Sequence, residues 1–360
     1  MDVGVFIPIN NNGWLISKTS PQYLPSFDLN REIVQRAEHY GLDFALSMIK
    51  FHGFGGESRF WDYGLESFTL MAGLAAVTER IKLFASIAVL TMPPPVAARM
   101  AVTIDSIAPG RFGVNIVSGW QEAEYSQMGI WPGEEHFRHR YQFCAEYVSI
   151  MKELWASGES DFKGRFFQMD KCQLLPMPER QLPIICAAQS DNGTRFAAEY
   201  GDYNFCVGFG VNQPQRVAAS IARLNEATKV TGRNVGALVM QMIIADETDE
   251  AAQRKWQLYC DGVDLDALAW RNAQAGADKT TTDPYATANR MKQNADQYPT
   301  NQGVFVGSYA TVARLLDEMS EIPGLQGVML TFDDFLIGME QFGTRIQPLM
   351  RSRARVLAAA

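Results

Sequence analysis

The stretch that decides the fold is Gly110-Arg111-Phe112-Gly113-Val114-Asn115-Ile116-Val117-Ser118-Gly119-Trp120. Pro109-Gly110 is a turn signal. Phe112–Val117 is a short apolar run with β-branched residues, which reads as a strand buried on both faces. Upstream, Pro93-Pro94-Pro95 opens a helix that runs to about Ile107, because proline is tolerated in a helix's first turn. Downstream, after a long loop, Tyr141–Ala156 has helical spacing. A buried strand between two helices is the repeat unit of a parallel α/β sheet.

The same unit recurs in both directions. Val3–Ile9, Asp43–Ser47 and Lys82–Leu90 read as earlier strands. Pro183–Ala188, Tyr203–Gly208, Ala237–Ala245 and Gly327–Thr331 read as later ones. Ile33–Tyr40 and Leu65–Thr78 supply early helices, the first ended by Gly41 in the left-handed conformation. Asp161–Cys172 reads as a small inserted hairpin. Eight strands with intervening helices close most naturally as a (β/α)8 TIM barrel, one domain over residues 1–360. A doubly wound sheet is the competing fold. It would want GxGxxG after strand one, and the sequence there is Asn10-Asn11-Asn12-Gly13-Trp14. Between strands seven and eight lies an insertion, 247–303. Glu250–Ala275 within it is helical, with Trp256, Leu258, Leu265, Leu268 and Trp270, and the rest is polar. Such a segment reads as a lid, an interface segment or an irregular surface excursion.

Composition narrows the function classes. The net charge of -8, with no Lys/Arg-rich run, argues against nucleic acid as a partner. Five cysteines without CxxC spacing and four histidines without HxxxH argue against a zinc site. They fit reduced thiols in a cytoplasmic protein. MDVGVFIPIN lacks a signal-peptide pattern, and no apolar run reaches the ~20 residues of a membrane span, so no membrane association is expected. Tyr147, Ile150, Met151, Leu154 and Trp155 form an apolar stripe. It would face the barrel or a second copy in a homo-oligomer, and the barrel is the commoner case.

Barrel enzymes build their sites at the carboxyl ends of the strands. Those positions are Asn10–Trp14, then Met48, Ile49, Lys50 and His52, then Ser86, then Asn115, Ser118-Gly119-Trp120 and Glu124. Gln189, Ser190 and Asp191 follow strand five, and Asn204 and Phe205 lie on strand six. No carboxylate pair suits glycoside hydrolysis, and no Ser/His/Asp set is evident, with His136 and His139 read in a loop. Amides, hydroxyls, one lysine and aromatics suit a planar polar cofactor that carries the chemistry.

Four motifs then point to a family. They are Ser47-Met48-Ile49-Lys50, the Gly110–Trp120 stretch, Tyr125–Pro132 (YSQMGIWP) and Ala188-Gln189-Ser190. With them the chain resembles the luciferase-like, two-component (group C) flavin monooxygenases, and within them the pyrimidine (uracil) monooxygenases of the Rut pathway. The resemblance runs from GVFIPI near the start to TFDDFL and RIQPLM near the end. It implies a bacterial luciferase-like barrel that uses reduced FMN, supplied by a separate NAD(P)H:FMN reductase, with O2 as co-substrate. It implies that a flavin peroxide attacks C4 of uracil or thymine and opens the ring between N3 and C4, giving ureidoacrylate or its peracid. The alternative is the same flavin chemistry on another cyclic amide or a sulfur-containing substrate.

Position by position, the resemblance places FMN against Ile49, Lys50, Asn115, Glu124, Arg140, Tyr141 and Ser190. Arg140 suits the phosphate, with hydroxyl donors from Tyr141 and Ser190. Lys50, Asn115 and Ser86 are the candidate catalytic residues, and Met48, Trp120 and Phe205 the candidate substrate contacts. Each has a plainer reading. Asn115 could satisfy strand-end backbone, and Trp120 could be core. Glu124 and Arg140 could form a solvated ion pair. Lys50 could be half of a structural pair, since a cation there must be paired or used. Two positions depart from the family pattern: Ser86 stands where threonine is expected, and Phe209 where lysine is expected.

Overall fold

The computed structural model describes residues 1–286, 289–291 and 298–354. Eight parallel strands close into a ring. They are β1 (Asp2–Ile7), β2 (Phe44–Ser47), β3 (Lys82–Ala88), β4 (Phe112–Val117), β7 (Ile184–Ala187), β8 (Tyr203–Val207), β9 (Gly236–Asp246) and β11 (Leu325–Phe332). Closure is made on both sides of β9, which pairs with β11 through Val328↔Val239 and with β8 through Phe205↔Leu238. Strand β1 stops before Pro8, which has no N–H to donate, and β3 ends two residues before the predicted Leu90, while β9 and β11 run past their predicted bounds. The predicted hairpin is present, with β5 (Glu159–Ser160) antiparallel to β6 (Cys172–Gln173) and a bridge from Lys163 to Gln168.

Helices α1 (Phe27–His39), α2 (Ser67–Ala75), α3 (Pro94–Ile107), α5 (Glu135–Ser157), α6 (Asp191–Tyr200) and α7 (Ala218–Thr231) follow successive strands, and a short α4 (Glu122–Ser126) precedes α5. Gly41 ends the first with φ +70°, as expected. Tyr147, Ile150, Met151, Leu154 and Trp155 are buried, with Trp155 Nε1 donating to Ala98 O at 3.2 Å, so the apolar stripe packs inward against α3. Among the described residues no helix is long and apolar enough to cross a membrane.

Three expectations need correction. Helix α5 begins at Glu135 rather than Tyr141, so His136, His139 and Arg140 are helical. Gly133 (φ +90°) is the last chain-reversing residue before it, and no glycine or proline interrupts the next 24 residues to Ser157. The helical stretch 250–275 is two helices, α8 (Asp249–Asp261) and α9 (Leu265–Ala275), because Asp264 turns the chain and caps the second with its side chain. Finally, the insertion ends in a ninth strand, β10 (Gly303–Ser308), followed by α10 (Tyr309–Ser320); α11 (Phe335–Gln341) comes after β11. Strand β9 is eleven residues long and lends its first half to β8 and its second half to β10, through pairs such as Val306↔Ile244. At that seam backbones nearly touch. A Cβ on Gly303 would sit 2.7 Å from Phe209 N, and one on Gly208 would sit 2.3 Å from Gln241 Oε1.

Inside the ring, alternation sets two layers. Phe44 and Phe84 fill the bottom, facing Gly4 and Gly113, whose missing Cβ atoms leave room for those rings. One strand pleat higher, Ser86 of β3 lies in register with Asn115 of β4, and Phe6, Met48, Phe205 and Met240 share that level. This upper layer is the floor of a large cavity at the carboxyl ends of the strands.

Candidate active site

The floor is neutral and hydrogen bonded. Ser86 Oγ donates to Ser47 O at 2.6 Å, and Asn115 Nδ2 donates to Ser86 Oγ at 2.8 Å. Asn115 is 3% exposed, and its Oδ1 has no partner. A buried amide oxygen left open is costly unless a ligand meets it. Both side chains line the cavity, with Met48, Phe6, Phe205 and Val207 as apolar walls.

One side of the cavity holds a buried ion pair. Lys50 Nζ lies 2.7 Å from Glu124 Oε1, and Gln121 Oε1 also accepts from the ammonium. Glu124 Oε1 further accepts from Phe51 N at 3.3 Å. The rings of Trp120, Phe54 and Trp61 surround the ammonium at 4.9, 5.1 and 6.0 Å. Burial pushes the lysine below its ordinary pKa, and Glu124 opposes that shift. The pairing predicted as an alternative for Glu124 and Arg140 is not formed; Glu124 serves Lys50. Trp120 is half-buried and lines the cavity, as does Ile49.

Arg140 sits at the opposite end. Its guanidinium pairs with Asp278 at 3.2 Å, both side chains are buried, and Arg140 Nε has no partner. Arg140 and Tyr141 also line an adjoining cleft with Ser190, Asp191 and Asn192 at the start of α6. Ser190 Oγ donates to Tyr141 Oη at 3.5 Å and accepts from Gly193 N at 3.2 Å, capping α6. A Cβ at Gly193 would lie 2.6 Å from the Tyr141 hydroxyl, so glycine there lets the tyrosine reach the helix N-terminus. A cation, two hydroxyls and helix amides make an anion-binding end.

The residues predicted for cofactor, substrate and catalysis all line these two adjoining spaces, whereas Asn10, Asn11, Asn12, His52 and Asn204, also placed at strand ends, line neither. Sequence reasoning missed four others. His136 Nε2 bridges Ser118 O and Gly119 O at 2.8 and 3.1 Å and fixes the loop that presents Trp120. Gln121 holds Lys50, and Arg271 and Arg290 enter the cavity from the insertion. The signal for Arg271 was its place on the stripe Ala267, Leu268, Arg271, Ala275, all buried. The unexpected Phe209 has a use, since Arg290 lies over its ring at 4.4 Å.

The model of the luciferase-like monooxygenase family matches residues 1–326. The chain belongs to that family. It is 60% identical to the pyrimidine monooxygenase RutA of Bradyrhizobium sp. (strain BTAi1), covering all of both chains. It is 58% identical to the protein of that name from Serratia proteamaculans, covering 99% of this chain and 97% of the relative. Among solved structures, long-chain alkane monooxygenase has the same fold, with a TM-score of 0.81 at 17% identity, covering 98% of this chain and 91% of the other. A riboflavin lyase solved with modified FMN and riboflavin superposes with a TM-score of 0.82 at 18% identity, covering 98% and 92%. By its family and its full-length relatives the chain is a monooxygenase.

Proposed function

We propose that the chain is an FMN-dependent pyrimidine monooxygenase that uses reduced FMN and O2 to open uracil or thymine between N3 and C4. The observation that carries this reading is the run of unmet polar atoms from Asn115 Oδ1 on the floor to Arg140 Nε at the cleft. It agrees with the names of full-length relatives at 58–60% identity. The residues fit FMN. Arg140, Tyr141 and the Ser190 end of α6 suit its phosphate, and the apolar walls suit its ring system. When bound, reduced FMN supplies the electrons that activate dioxygen.

The chain's own residues position and exclude. Arg140 would hold the phosphate in place of Asp278. Asn115, held by Ser86, offers its amide to the polar edge of the flavin or to the oxygen-reacting side. Glu124 fixes Lys50 beside Ile49, so the paired ammonium contributes a directed dipole more than a free charge. Met48, Trp120 and Phe205 wall the pyrimidine and keep water out. A separate NAD(P)H:FMN reductase supplies the cofactor, and the reaction belongs in the cytoplasm. Incubation with such a reductase, NADH, FMN, O2 and uracil is expected to remove uracil's absorbance, and only with O2 present. If FMN binds but no pyrimidine is consumed, while another cyclic amide or a sulfur-containing compound is, the substrate assignment fails.

A further inference from the structure

Buried arginines in this chain differ in how fully they are partnered. Arg353, 1% exposed, donates to Asp43, Gly41 O, Met1 O and Gln347 Oε1. Arg111, half-buried, donates to Thr78, Ile81 O and Ala75 O. Arg271 is less fully met than either of these. It is 2% exposed, and its partner is Asn272 Oδ1, reached by Nε at 3.2 Å and Nη2 at 3.0 Å. Among the described residues no carboxylate pairs with it, and Nη1 has no acceptor. Burial pushes its pKa down to about 10, so it stays charged at neutral pH. A buried guanidinium with one end free costs stability unless a ligand completes it.

The fold aims that free end. Helix α9 lies over the loops after β2 and β4. Ala267 and Leu268 pack with Ile16, Phe54 and Phe60, and Trp270 stacks on His52 at 4.9 Å and 8°. Gln274 Oε1 accepts from Ala123 N at 3.4 Å. Arg271 is one turn beyond Leu268 on the same face, and it lines the main cavity shared with Lys50 and Trp120. Lys50 is already neutralised by Glu124 and Arg140 by Asp278. Arg290 donates to Gln189 Oε1 and lies over Phe209, after β8, so among the described residues the cation left on the Trp120 side is Arg271.

We propose that Arg271 is a specificity-determining residue that donates a charge-assisted hydrogen bond from Nη1 to a carbonyl oxygen of the bound pyrimidine. This rests on the functional reading above. It makes the insertion part of the substrate site, with Asn272 as the positioning residue that holds the guanidinium plane.

The test compares wild-type protein with Arg271→Met and Arg271→Lys. Uracil is set against 2-pyrimidinone and 4-pyrimidinone, each lacking one carbonyl. Arg271→Met is expected to weaken uracil binding about 10- to 100-fold, the worth of a hydrogen bond to a charged group. It should weaken one mono-carbonyl analogue equally and leave the other unchanged. FMN affinity should stay within about twofold, and Arg271→Lys should recover part of the loss. The Tm of Arg271→Met should hold or rise, because an uncompensated charge is removed. A lowered Tm with all ligands weakened alike would make Arg271 structural and overturn the proposal. So would unchanged uracil binding, or FMN affinity falling in proportion. If wild-type protein itself neither binds nor consumes a pyrimidine, the functional reading fails instead.

Discussion

The floor and the roof of this cavity are built on opposite principles. The floor comes from strands β1, β3, β4, β8 and β9 with Met48 just after β2, and is uncharged: Ser86 and Asn115 are locked by register and by two hydrogen bonds. The roof comes from the insertion and is charged: Arg271, Asp278 and Arg290 are buried there. The floor is rigid because each side chain is fixed by a neighbouring strand. The roof is exchangeable, because its charges meet groups that ligands would also claim. Under the proposed function, this barrel separates orientation, done by neutral groups below, from charge matching, done from above.

The comparison can be broken first between floor and roof, at the buried Lys50–Glu124 pair on the cavity's side. Lys50→Met leaves Glu124 buried without its cation, which should cost about 3–5 kcal/mol of stability in urea unfolding. The double variant Lys50→Met with Glu124→Leu should recover most of that, as both charges are gone. A single variant as stable as wild type would show that the pair is solvated. Next is the floor itself. Asn115→Ala should lower turnover about 10²- to 10³-fold, the scale of losing one preorganised polar group, with FMN still bound. Equal turnover would confine Asn115 to backbone satisfaction.

The roof gives smaller effects. Asp278→Asn removes the carboxylate that competes with a phosphate for Arg140, so FMN should bind about tenfold tighter, or about 1.4 kcal/mol. Weaker binding would mean that Asp278 shapes the cleft instead. The least drastic probe is acid. Burial pushes Asp264 up, but the backbone and hydroxyl of Ser58 and the N–H of Ala267 outweigh it and hold the carboxyl below 3.8. A lowered folded pKa means this docking contributes fully above about pH 3.8 and is lost as pH falls through the lower folded value. Hydrogen exchange should then show α9 opening in that window before the barrel strands do. Simultaneous opening would contradict a separately docked roof.

The same division explains what could be read from the sequence. Strand β4 has the same bounds in the structure as in the sequence reading, because Phe112–Val117 is apolar, β-branched and bounded by turn residues. The floor residues followed from which ends of the strands face the site. The anion end at Arg140, Tyr141 and Ser190 was legible only through family motifs, since α5 and α6 meet through tertiary packing. Strand β10 escaped because six residues, Gly303–Ser308, follow a polar stretch and pair with a strand more than fifty residues earlier. Arg271 escaped because an arginine on a helix is normally solvent-facing, and only the docking of α9 turns it inward.

The most direct test of the account is a crystal structure of the protein with FMN and uracil bound. The account predicts the phosphate on Arg140, Tyr141 and the Ser190 end of α6, with Asp278 released, the flavin over Ser86 and Asn115, and the pyrimidine between Trp120 and Arg271. A phosphate held by Lys50, or a pyrimidine seated away from the Ser86–Asn115 floor, would contradict it.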